Sequence, residues 1–133
     1  MKIAGLMLLA LLVTSCTSDD QSCHYAEAPG LATVTDIQPA PSSLYNCYGD
    51  AVEVFFDFVP DSGEPSLQDT GRRVTVGAGA NPPRAYIESK GFDLGAVLPA
   101  IREDILTGSC SPKEYRFPGV DLSDYAASCW AKP

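Results

Sequence analysis

The sequence predicts an α+β domain: a small antiparallel sheet with one or two short helices packed on one face, stabilised by disulfides. Three observations lead there. Apolar residues alternate through Val52, Val54, Phe56 and Phe58, helix punctuation begins at Asn81, and four cysteines follow an export-like opening segment. The alternative is an all-β sandwich of immunoglobulin type, in which residues 94–106 form a strand. The chain of 133 residues is long enough for one domain, and 45% hydrophobic with 20% charged residues is an ordinary globular composition.

Met1-Lys2 gives a positive start, and an apolar run of 11 residues follows from Ile3 to Val13. That length suits the core of a secretory signal; a bilayer span needs about 20 apolar residues. The run ends in Val13-Thr14-Ser15-Cys16, which resembles the lipobox of bacterial lipoproteins. The resemblance covers the export signal alone. It implies cleavage before Cys16, acylation of that cysteine and a lipid anchor in the bacterial cell envelope. Thr17 stands where an aspartate would favour the inner membrane, so the resemblance implies the outer membrane. The expected plan is a signal peptide over 1–15, a lipidated cysteine and tether over 16–30, and one globular domain over 31–133.

Cys23, Cys47, Cys110 and Cys129 remain in the mature chain. In an oxidising compartment an even set reads as two disulfides, with three connectivities open. Loop entropy favours Cys23–Cys47 with Cys110–Cys129, because shorter loops close at lower cost. A zinc site would want a C-x-x-C pair, which is missing, and His24 alone could assist, so no metal is expected.

Residues 17–30 are polar and aperiodic, and read as the tether. Residues 31–37 have strand composition, and Pro39 and Pro41 end them. Residues 51–59 are the clearest strand, half-buried, with Phe55 on the mixed face, and the turn residues of 60–65 close it. A short strand is expected over 73–77. Asn81 then suits an N-cap, Pro82 the first helical position and Gly91 a stop, which predicts a helix over 82–90. Leu94, Val97, Leu98, Ile101 and Ile105 recur at helical spacing. Pro99 interrupts that run and costs about 3 kcal/mol inside a helix, so either a helix begins near it or the stretch is extended. The helix is the preferred reading. Residues 113–117 make a last strand and 123–129 a short helical or looped end, with Trp130 covering the core beside Cys129.

A formal charge of −8 argues against a nucleic-acid partner, since phosphates require clustered Lys and Arg. The single histidine, His24, lies in the expected tether, and no nucleophile–base arrangement can be drawn, so no catalytic residue is assigned. Residues 74–84 run strand, glycine-rich loop, helix start, the order of phosphate loops. Proline at 82 breaks the G-x-G-x-x-G pattern, and no cofactor is expected. Arg72, Arg73 and Arg84 nevertheless flank that loop and can receive a carboxylate or sulfate. Asp57, Asp61, Glu64 and Asp69 form an acidic loop whose default is solvation rather than calcium. Tyr45 and Tyr48, among acidic and amide neighbours, suit a protein or carbohydrate contact. The expected function is a non-catalytic binding or accessory module at the membrane surface, with an envelope protein as partner. An inhibitor-like form would meet a basic enzyme through complementary charge. The alternative is a small hydrolase of cell-wall or carbohydrate polymers.

Overall fold

The computed structural model describes residues 22–42, 46–77 and 79–130; the export segment, Cys16 and Tyr45 lie outside the described residues. The elements are β1 (His24–Pro39), β2 (Val52–Pro60), β3 (Asp69–Val74), α1 (Arg84–Ser89), β4 (Val97–Thr107), β5 (Lys113–Arg116) and α2 (Tyr125–Cys129). The strands form one antiparallel sheet in the order β3-β2-β1-β4-β5. It is a single curled sheet with two short helices, not two facing sheets.

The curl originates in β1. Its first part pairs with β4, from His24↔Thr107 to Thr33↔Val97, and its second part with β2, from Gly30↔Pro60 to Pro39↔Val52. Only residues 30–33 have partners on both sides. A strand that changes partners midway must coil, and the register shift between Val34 and Asp36 adds twist. Gly30 lies buried at the changeover, where a Cβ would run into the Val59 carbonyl and the Phe58 ring. The curl carries the two ends of the sheet round to each other: Lys113 Nζ and Tyr115 Oη on β5 both donate to Asp69 Oδ2 on β3, at 2.8 Å each.

Inside the curl, β2 supplies Val52, Val54, Phe56 and Phe58, all essentially buried, as its alternation requires. Ala32, Val34, Val74 and Ala100 join them, and Ile87 of α1 with Phe92 packs against the same core. Phe56 meets Tyr115 and Phe117 edge-to-face at 5.1 and 5.4 Å, and Phe92 meets Phe117 at 5.1 Å.

Several expectations change. Residues 24–30 are strand rather than tether, because β4 pairs with them. The strand expected at 73–77 runs instead from Asp69 to Val74; beyond it Val76 only bridges Ala80. Helix α1 is shorter than 82–90, and Asn81 does not cap it. Asn81 is buried, donating from Nδ2 to Asn46 Oδ1 at 2.8 Å, while its carbonyl accepts the Cys47 N–H. The stretch preferred as a helix from residue 94 is strand β4. Its helical spacing does not define one face, since Leu94 and Val97 are exposed while Leu98 packs on the core. Pro99 is tolerated because β5 reaches β4 only over residues 101–104, leaving an open side for the missing N–H.

The disulfides are Cys23–Cys110 and Cys47–Cys129, with Cα separations of 6.1 and 4.4 Å, not the short-loop pairs. Sheet pairing overrides loop entropy: His24 opposite Thr107 brings Cys23 to the loop that carries Cys110. Two such bridges belong to an oxidising, extracytoplasmic compartment.

Candidate ligand-binding slot

Between the facing edges of β3 and β5 runs a cavity of about 550 Å³. The register builds it. On β3, Arg72 is opposite Phe56 and Val74 opposite Val54, so both turn inward, while Arg73 stands opposite Phe55 on the outer face. On β5, Lys113 and Tyr115 turn toward the cavity, and Phe117 beyond them is buried. Phe56, Tyr115 and Phe117 thus form an aromatic floor, Leu122 closes it from the C-terminal segment, Arg72 and Lys113 supply positive charge inside, and Arg73 lies at the outer rim.

Asp69 organises this charge. Its Oδ2 receives Lys113 Nζ and Tyr115 Oη and lies 3.4 Å from Arg72 Nε. Burial raises the pKa of Asp69, but the hydrogen bonds from Lys113 and Tyr115 and the nearby positive charges outweigh it, and the net shift is downward. The Tyr115 hydroxyl is pushed far above its ordinary value, by burial first and then by its bond to that carboxylate. The Arg72 guanidinium lies 5.7 Å from the Tyr115 ring centroid, a cation–π placement that holds it over the floor. Arg102 adds a clasp across the same seam, donating to the Leu67 carbonyl at 2.9 Å.

One carboxylate therefore serves two slot cations. Among the described residues Arg73 is the only Lys or Arg without an ion pair. Counting Asp69 against Arg72 and Lys113, the inner face of the slot keeps a surplus of one positive charge in a chain of net −8.

The glycine-rich loop lies at one end of this slot. Val76 and Ala80 exchange backbone hydrogen bonds of 3.0 and 2.9 Å, closing a tight loop between them. Gly77, at φ 56°, permits both the turn and the approach of Tyr125, whose ring and hydroxyl occupy the place of a Cβ. The loop and Arg72 with Arg73 thus share one cavity, as the sequence order suggests.

Arg84 belongs elsewhere, bonded through Nε to Asp50 Oδ2 at 2.8 Å. Tyr48 is half-exposed, 5.9 Å from Trp130 in an edge contact, and is not part of the slot. Trp130, expected to cover the core, is itself 50% exposed, so its partner is Tyr48 rather than the interior. The acidic loop is divided: Asp57 accepts the Gly71 N–H at 2.9 Å, and Asp69 serves the slot. No motif in the sequence marks Lys113, Tyr115, Phe117 or Leu122 as site residues. The alternation of residues 113–117 holds the one available signal, since it puts Lys113, Tyr115 and Phe117 on one face.

Among the described residues no helix is long and apolar enough to cross a membrane. No protein-family model, curated protein or solved structure matches the chain.

Proposed function

We propose that the chain is a lipid-anchored, non-catalytic binding module of the bacterial envelope, and that its β3–β5 slot takes an anionic ligand. The observation that carries this reading is the meeting of Arg72 and Lys113, from segments some forty residues apart, over an aromatic floor in an acidic chain, with Arg73 on the outer rim of the same edge. A local positive field inside a negative surface selects among anions, because the surface repels those that do not fit the slot. The layout supports a binding role. The curled five-stranded sheet brings its two end strands to either side of one cavity, a concave place lined by aromatic and charged side chains. Fold alone does not choose the ligand, and the net charge disfavours nucleic acid.

The disulfides favour an extracytoplasmic address, and the lipobox-like Val13-Thr14-Ser15-Cys16 supports the anchor, with the outer membrane preferred. An acyl chain gains about 0.8 kcal/mol for each CH₂ buried in the bilayer, so several chains on Cys16 would hold firmly. The partner expected on this reading is an envelope component that presents carboxylates.

The test is titration of the full chain in detergent with citrate, a compact polycarboxylate, followed by amide NMR. Shifts should concentrate on residues 72–77 and 113–117 and should weaken several-fold in Arg73→Ala and with added salt. Shifts spread over the surface and unchanged in Arg73→Ala would defeat the proposal.

A further inference from the structure

We infer that the ligand of the slot is an extended peptide segment bearing carboxylates, which joins the sheet as an added strand along β3. This rests on the reading of the slot as a binding site and names what fills it.

Both walls of the slot are sheet edges. β3 pairs only with β2 and β5 only with β4, and among the described residues no backbone hydrogen bond joins β3 to β5. Each edge therefore has no neighbouring strand, the template that strand addition uses; on β3 side chains engage the N–H groups of Thr70 and Gly71, which leaves the Arg72–Val74 stretch to receive a guest. The four antiparallel pairings that lead round the sheet from β3 to β5 make these two edges run in the same direction. One extended segment can then pair with β3 on one side and lie along β5 on the other. β5 has four residues and β3 six, so at about 3.3 Å per residue the slot suits a segment of similar length.

The side chains match an alternating guest. An added strand would direct one set of side chains to Phe56, Tyr115 and Phe117, with Arg72 and Lys113 beside them, and the other set outward along Arg73. Arg73 has no carboxylate of its own, and Arg72 and Lys113 share one. A free inorganic anion would answer the charge but leave both edges and the aromatic floor uncovered. The two backbone edges are what select a peptide.

The experiment uses the full chain in detergent and a fluorescent hexapeptide of alternating valine and glutamate, read by anisotropy. Its comparators are the same peptide N-methylated at alternate residues, a valine–lysine hexapeptide, and citrate as competitor. Binding of the valine–glutamate peptide is expected, at least tenfold weaker after N-methylation, absent for the lysine peptide and several-fold weaker in Arg73→Ala. Amide exchange along β3 should slow in the complex. Equal binding of the N-methylated peptide overturns strand addition and leaves the anion slot standing. Citrate binding that depends on Arg73 without any peptide binding does the same. If neither probe responds to Arg73→Ala, the inference and the proposed function fall together.

Discussion

Replacing Cys47 and Cys129 together by alanine tests what holds the C-terminal segment against the sheet. Taken alone, this bridge spans a sequence separation of 82, which the chain-entropy relation converts to about 4.5 kcal/mol. The two bridges interlace, however, because Cys47 lies inside the loop closed by Cys23–Cys110 and Cys129 lies beyond it. With Cys23–Cys110 intact, the shortest path from Cys47 to Cys129 runs through that bridge and is about 43 residues long, which lowers the value to about 4 kcal/mol. Alanine is the right replacement, since Cys47 and Cys129 are only 3% and 0% exposed and a serine hydroxyl there would need a partner. Urea unfolding followed by circular dichroism should show a loss of about 3–4 kcal/mol, with a steeper denaturant dependence from the more expanded unfolded chain. The variant should also bind iodoacetamide only after reduction, because Cys23 and Cys110 remain joined to each other. A loss below about 1 kcal/mol, or two thiols reactive without reductant, would refute the interlaced pairing and the energy assigned to it.

Asp69→Asn should lower stability by about 1–2 kcal/mol, through loss of charge-assisted bonds to Lys113 and Tyr115, yet strengthen citrate binding by freeing two cations. The folded pKa of Asp69 is lowered, so its contribution is present above the ordinary aspartate range near pH 3.9 and fades as pH falls through the lower folded value. Acid titration of unfolding should therefore be shallower below about pH 4 in the variant than in the parent. Gly30→Ala should cost more than about 2 kcal/mol, because the new methyl meets backbone that cannot move aside; a thermal midpoint within a few degrees of the parent would contradict the tight changeover in β1. Cys16→Ser should move the protein from the membrane fraction to the soluble one, and retention on membranes would remove the lipid anchor from the account.

Much of the sheet is legible because burial on one face imposes a period of two. Val52, Val54, Phe56 and Phe58 all lie in the core, and residues 113–117 read as a strand for the same reason. β4 is not legible this way. Its middle has neighbours on both sides and its ends are exposed, so its apolar residues follow neither template cleanly, and an accidental helical spacing fills the gap. The disulfide pairing was hidden for a related reason. Loop entropy ranks pairs by separation along the chain, whereas Cys23 and Cys110 meet because β1 and β4 pair over ten positions between them. Half of the slot is readable: Arg72, Arg73 and the glycine loop are neighbours in sequence. Lys113 and Tyr115 become their partners only when the sheet curls, and the curl depends on Gly30 and the bulge of β1, local features whose effect is to bring together residues far apart in the chain.

The seam remains open because of the residues set along it. Apolar side chains on the inward faces of β3 and β5 would draw the edges together until their backbones paired. Asp69, Arg72 and Lys113 stand there instead, and they meet through side chains on the inward face, so the two backbones stay apart. An unclosed seam forgoes a ladder of hydrogen bonds, each worth about 1 kcal/mol net, and a domain of this size has little surplus stability. The covalent bridges lie away from the seam: Cys23–Cys110 secures the start of β1, and Cys47–Cys129 secures the segment that brings Leu122 to the slot. Stability supplied at those two points lets the edges stay unpaired in the native state. A fold that needed β3–β5 pairing to survive would have no edge left to offer a ligand.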